Sequence, residues 1–281
     1  MKNLIFLSFF FTSSLWAADV CLGLQERFPI VDPTDGQPFD VKAKIYRPII
    51  RGKAPVVFIL PPIVGETVLD RRLASRLCNS GIAAYILEVV KEISLDDEIP
   101  NLQVHDDSYV RALAGIRRVI AALQEDPHLQ QEYGIIGTSL GGMLATYIAG
   151  SEPTIKASVI VVGAGNVPGV LAYSDQERVK AQRTARLKLF NLPDQIAYEK
   201  LLQNMVPNDP ITVASQIRPG SSYLFIATKD TTVPTRYQRE LRSKIIDPKV
   251  FEMNANHFEG IVKAGTLHAE KINRFFQLML R

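Results

Sequence analysis

Cysteine is scarce in this chain of 281 residues, which holds only Cys21 and Cys78. That excludes a multi-bridge disulfide scaffold and a thiolate metal cluster. In an oxidising compartment the two could close one bridge, worth about 4 kcal/mol in the chain-entropy picture. The alternative is that Cys78, in an apolar helical setting, is a small buried hydrophobe. An excess of either charge is also missing. Lys and Arg number 32, Asp and Glu 29, and the formal net charge is +3. Nothing resembles the concentrated basic face that nucleic acid requires. Beyond the N-terminus no apolar run is long enough to cross a bilayer. Histidine is sparse too, with His105, His128, His257 and His268. No ligand cluster appears among them, so neither a metal nor an organic cofactor is expected.

The N-terminus has its own composition. Lys2 is followed by the apolar stretch Leu4 to Phe11, then by Ser13, Ser14, Leu15, Trp16, Ala17 and Ala18. This is the layout of a secretory signal peptide cut after Ala17 or Ala18. The apolar part is too short to span ~30 Å of hydrocarbon. The expected organisation is a signal peptide over 1–18 and one domain over 19–281, in a protein that is periplasmic or secreted.

Within that domain the pattern starts with an alternation of Phe39, Val41, Ala43 and Ile45, the mark of a half-buried antiparallel strand. Val56 to Leu60 then runs apolar without interruption, as a strand covered on both faces does. Similar runs occupy 82–90, 133–138, 157–162, 223–227 and 250–253. Helical stripes separate them. Tyr109, Leu113, Ile116, Ile120 and Leu123 share one helix face, and Ile272, Phe275, Phe276 and Met279 another. Buried strands alternating with helices predict an α/β domain, a mostly parallel sheet with helices on both faces. The alternation fails over about 166–216. There Ser174 and Glu177 suggest a capping box, and helices are expected to about Leu189 and over 194–205. This is read as a helical insertion, a candidate lid. Its cations Arg178, Lys180, Arg183, Arg186 and Lys188 are read as a solvated face, with attraction to an anion or membrane surface as the rival.

The chemistry concentrates in Gly137-Thr138-Ser139-Leu140-Gly141-Gly142. G-x-S-x-G between a buried strand and a helix is a nucleophile elbow. The sharp turn lifts Ser139 out of the sheet, and Gly137 and Gly141 are required because side chains there would collide. A serine hydroxyl needs a base. His257, in Asn254 to Gly260 just past the last apolar run, lies where a parallel sheet places its site. His105, His128 and His268 do not. The base needs a carboxylate, which Asp230 supplies beyond the strand ending near Ala227. Asp209 lies before that strand and Asp247 precedes Pro248, so both are poorer choices. For the oxyanion hole the donors are Leu140 N–H and an N–H from Pro61-Pro62-Ile63-Val64. Proline has none to give, which leaves Ile63 (favoured) or Val64.

Over about residues 40–281 these segments, with Lys229 to Pro234 and Asn256-His257, resemble the α/β-hydrolase superfamily. The serine esterases of its dienelactone-hydrolase-like branch are closest in character. The resemblance implies an eight-stranded sheet with one antiparallel strand, a Ser-Asp-His triad and a helical cap. Two features depart from the branch: Ser139 stands where its namesake has cysteine, and Pro61-Pro62 replaces the usual His-Gly. The expected activity is hydrolysis of a small-molecule carboxylic ester through an acyl-enzyme. The rivals are a peptidase or amidase, a lipase, and a catalytically idle binding protein on the same fold.

Overall fold

The computed structural model describes residues 21–91 and 102–281. The signal-peptide expectation, over 1–18, lies outside them. In chain order the first elements are β1 (Cys21–Val31), β2 (Pro38–Pro48), β3 (Ala54–Leu60), α1 (Val68–Asn79), β4 (Ala83–Glu88), α2 (Val104–Leu123), β5 (Leu129–Thr138), α3 (Leu140–Ser151) and β6 (Ile155–Val161). The insertion carries α4 (Val167–Tyr173), α5 (Glu177–Leu189), α6 (Gln195–Met205) and α7 (Pro210–Val213). The chain closes with β7 (Ser222–Ala227), α8 (Thr235–Lys244), β8 (Lys249–Met253), α9 (His257–Gly265) and α10 (Ala269–Met279).

The strands form one eight-stranded sheet in the order β1-β2-β4-β3-β5-β6-β7-β8. β2 pairs antiparallel with both β1 and β4, and every other pairing is parallel. Only β2 therefore runs against the rest. The continuous apolar strands follow from double coverage. In β3, Val56, Phe58 and Leu60 enter a core shared with α2, α3 and the insertion, while Val57 and Ile59 enter a second core under α1, α9 and α10. Each strand side chain thus loses its water whichever face it points to.

Three details differ from the sequence reading. β1 was not expected: its side chains are largely exposed, so no burial pattern marks it. The insertion's first long helix is capped by Gln176, whose side chain accepts from Val179 N–H at 2.8 Å, and not by Ser174. The cations of α5 are not all solvated either. Arg186 is 1% exposed and donates to Tyr198 Oη at 2.7 Å, while buried Arg183 donates to the Ser174 carbonyl at 2.9 Å. Both guanidiniums sit where backbone and side-chain acceptors replace water, which is the condition for burying a charge. Cys21 and Cys78 are joined by a disulfide that ties β1 to α1. Among the described residues no helix is long and apolar enough to cross a membrane.

Candidate active site

The site lies at the carboxyl rim of the parallel strands, built from the loops after β3, β5, β7 and β8. Ser139 occupies the turn between β5 and α3 with φ 56° and ψ −117°. An L-residue holds such a conformation only where its surroundings enforce it. The two flanking glycines make the turn possible. A Cβ on Gly137 would stand 1.8 Å from the Gly141 carbonyl oxygen, and one on Gly141 would stand 2.1 Å from that of Leu60. Ser139 N–H donates to the Val161 carbonyl at 2.9 Å, which fastens the elbow to the end of β6.

The three side chains singled out from the sequence meet. Ser139 Oγ lies 3.0 Å from His257 Nε2, and His257 Nδ1 lies 2.7 Å from Asp230 Oδ2. With Nδ1–H donating to the carboxylate, Nε2 is left as an acceptor facing the hydroxyl. His257 opens α9 and does not lie in a free loop. Asn256 caps that helix, accepting from Glu259 N–H at 2.9 Å, and the Glu259 side chain returns to Asn256 N–H at 3.2 Å. The cap fixes the backbone on which the imidazole stands. Two backbone bonds then align the histidine and aspartate loops, Thr228 N–H to Met253 O and Lys229 N–H to Ala255 O, both at 2.9 Å.

Asp230 is 3% exposed and fully satisfied. Its Oδ1 accepts from Thr232 and Val233 N–H at 3.0 and 2.9 Å, and its Oδ2 accepts from Gln238 Nε2 at 2.8 Å as well as from His257. Gln238 was not anticipated. Buried in α8, it also donates to Val233 O and accepts from Ala227 N–H. It lies eight residues beyond Asp230, and no local spacing marks a glutamine for that task.

The rivals fall elsewhere. Asp209 accepts from Asn166, Val167 and Ile211 N–H at 2.8–2.9 Å and anchors the insertion. Burial pushes its carboxyl up to about 6 against those three bonds. Asp247 precedes β8 and His128 precedes β5, so both sit on the opposite rim. His105 lies in the first turn of α2, and His268 packs on Phe251 with ring centroids 4.3 Å apart.

The oxyanion candidates also lie at this rim. Leu140 N–H is the first of α3, a position without an intrahelical acceptor. After β3, Pro62 O accepts from Gly65 N–H at 2.9 Å, which makes 62–65 a β-turn. Such a turn uses the N–H of its last residue and leaves those of Ile63 and Val64 outside its own bond.

Sheet order, the single reversed strand and the elbow at the end of β5 define an α/β-hydrolase fold. Residues 117–250 match the family described as BAAT / acyl-CoA thioester hydrolase C terminal. That segment contains Ser139 and Asp230 and ends before His257. Among solved structures, the acetyl xylan esterase from Paenibacillus sp. R4 superposes with a TM-score of 0.70 at 17% identity, over 94% of this chain and 89% of that one. The Pyrococcus horikoshii acylaminoacyl peptidase gives 0.67 at 15% identity over 94% of this chain, which spans only 42% of the peptidase. A putative dienelactone hydrolase from Klebsiella pneumoniae gives 0.56 at 16% identity, over 92% and 98%. No curated protein matches the chain.

Proposed function

We propose that this protein is an exported serine hydrolase that cleaves carboxylic esters, with Ser139 as nucleophile, His257 as base and Asp230 as its orienting carboxylate. The observation that carries the reading is the continuous line from Ser139 Oγ through the imidazole to Asp230, at 3.0 and 2.7 Å. Ser139 Oγ attacks the ester carbonyl as its proton passes to His257 Nε2. The tetrahedral oxyanion is met by Leu140 and Ile63 N–H. The carbon–oxygen bond to the alcohol breaks, and the departing oxygen takes the proton from Nε2. Water then attacks the acyl-enzyme and gives one proton to His257. The acid leaves, and Ser139 regains its hydrogen.

Export is supported by the composition of residues 2–18 and by the Cys21–Cys78 bridge, which suits an oxidising compartment. A second reading, thioester hydrolysis, is favoured by the family match over 117–250. Both use the same acyl-enzyme, so matched oxygen ester, thioester and amide of one acyl group rank them by kcat/KM. A fluorophosphonate probe is expected to label the purified protein at a single serine, and Ser139→Ala to abolish labelling. A folded wild-type protein that takes no label sinks the hydrolase reading and leaves a binding role on the same fold.

A further inference from the structure

Beside Ser139 lies a cavity of about 430 Å³ that the triad does not use, a volume within the range of small-ligand sites. It is bordered by the Pro61–Gly65 loop and by Leu140, the segments that offer the oxyanion donors. Leu60, Leu87, Val89 and Leu144 on its wall are each buried, at 2% exposure or less. Its position follows from the sheet order. Ser139 follows β5; the cavity is lined from β2, β4 and the β3 loop on one flank, and His257 arrives from β8 on the other.

That asymmetry decides which part of a substrate enters it. The leaving oxygen has to reach His257 Nε2 to be protonated, so the alcohol side lies toward β8. The remaining arm of the carbonyl carbon, the acyl chain, is directed away from the imidazole, toward β4. The charges on the cavity wall are already matched within the protein. Lys42 pairs with Glu88 at 3.1 Å, Asp40 with Arg27 at 3.6 Å, and Lys91 with Asp32 at 3.0 Å. Among the described residues, an occupant meets buried hydrocarbon and no charge seeking a partner.

We propose that this cavity is the acyl pocket and that it selects esters of neutral aliphatic acids longer than acetate. The inference rests on Ser139 being the nucleophile. Burying each added methylene there raises kcat/KM about fourfold until the space is filled. A terminal carboxylate on the chain is rejected by about tenfold or more, since none of the described lining residues holds a free charge to compensate its lost hydration.

The test measures kcat/KM of the full protein on p-nitrophenyl esters from acetyl to octanoyl and on the hemisuccinate, with fluorophosphonate labelling in parallel. Expected is a rise from acetyl, a maximum at intermediate length and weak turnover of the anionic ester. Val90→Phe, placed in the connection after β4, should reduce the hexanoyl-to-acetyl ratio about tenfold, and Phe39→Ala should move the maximum to longer chains. A profile that is flat or falls from acetyl, or a ratio unchanged in both variants, while Ser139 still takes the label, overturns the pocket and leaves the hydrolase reading standing. Preference for the hemisuccinate does the same. Loss of labelling in the folded wild-type protein overturns both.

Discussion

On the β8 flank of Ser139, the imidazole and carboxylate that line up with its hydroxyl are held by a dense polar lattice. Asp230 takes four hydrogen bonds, from Thr232, Val233, Gln238 and His257, and the histidine stands on a capped helix end. On the β4 flank, a short turn after two prolines offers backbone N–H groups above an apolar cavity. Its tip is solvent-facing, with Ile63 41% and Val64 81% exposed. In the proposed mechanism the first flank moves a proton, so its donors and acceptors need fixed direction. The second, in the same mechanism, receives charge from one atom of the substrate and hydrocarbon from the rest, so it needs backbone and shape. Removing a side chain should therefore be most costly on the first flank. On the second, only loss of the backbone N–H should approach that cost.

His257→Ala provides the largest contrast. Turnover of an activated ester is expected to fall by ~10³-fold or more. A loss under tenfold in steady-state assays would mean that another group serves as base. On the opposite flank, Ile63→Pro removes one N–H at the second position of the β-turn, where proline is well tolerated. A drop of ~10²- to 10³-fold in kcat is expected, with the fold retained by circular dichroism. An unaltered kcat would transfer the donor role to Val64.

The wall of the β4 flank is secured by an ionic knot. Asp32, fully buried, accepts from Arg111 Nε, and from Lys91 at 3.0 Å. Burial alone would raise its carboxyl, but the hydrogen bonds from Arg111, Thr34 and Lys91 outweigh it and hold the group well below the usual range. A depressed carboxyl stabilises the fold above its unfolded value near 3.8, and that contribution fades as pH falls from there toward the folded value. Asp32→Asn should cost about 3 kcal/mol at neutral pH, because it strands the buried Arg111. It should also flatten the loss of stability below pH ~4 in urea titrations. An acid limb that stays as steep as the wild type would locate the acid-sensitive group elsewhere.

The two flanks were also unequally legible from sequence. Gly137, Ser139 and Gly141 announce themselves because steric necessity leaves a local pattern at fixed spacing. The meeting of Asp230 and His257 with Ser139 is legible because a parallel sheet sends its strand ends to one rim, so position after an apolar run is informative. β1 escaped because its exposed side chains carry no apolar alternation. Arg183 and Arg186 were misread for a related reason: their acceptors, the Ser174 carbonyl and Tyr198 Oη, lie on neighbouring elements, and charge patterning along one helix does not reveal them. The cavity of the β4 flank was illegible because it is a space between β2, β3, β4 and α3, assembled from residues with no common motif.

Gln238 gives the smallest expected effect and the finest probe of the lattice. Its Nε2 donates to Asp230 Oδ2 at 2.8 Å, on the same oxygen that faces His257, while its Oε1 accepts from Ala227 N–H at 3.1 Å at the end of β7. The amide therefore spans the strand end and the carboxylate, and limits how far Asp230 can rotate away from the imidazole. Gln238→Met keeps the length and burial and removes both hydrogen-bonding ends. If the role is orientation of the carboxylate, kcat should fall about tenfold, the scale of one buried hydrogen bond, with KM for the same ester little changed. A purely structural role would lower the melting temperature, and with it the active fraction, and single-turnover rates normalised to fluorophosphonate-titrated sites would then match the wild type. Equal normalised rates would show that the backbone donors of Thr232 and Val233 suffice to hold Asp230, and that the lattice on this flank is more redundant than its geometry suggests.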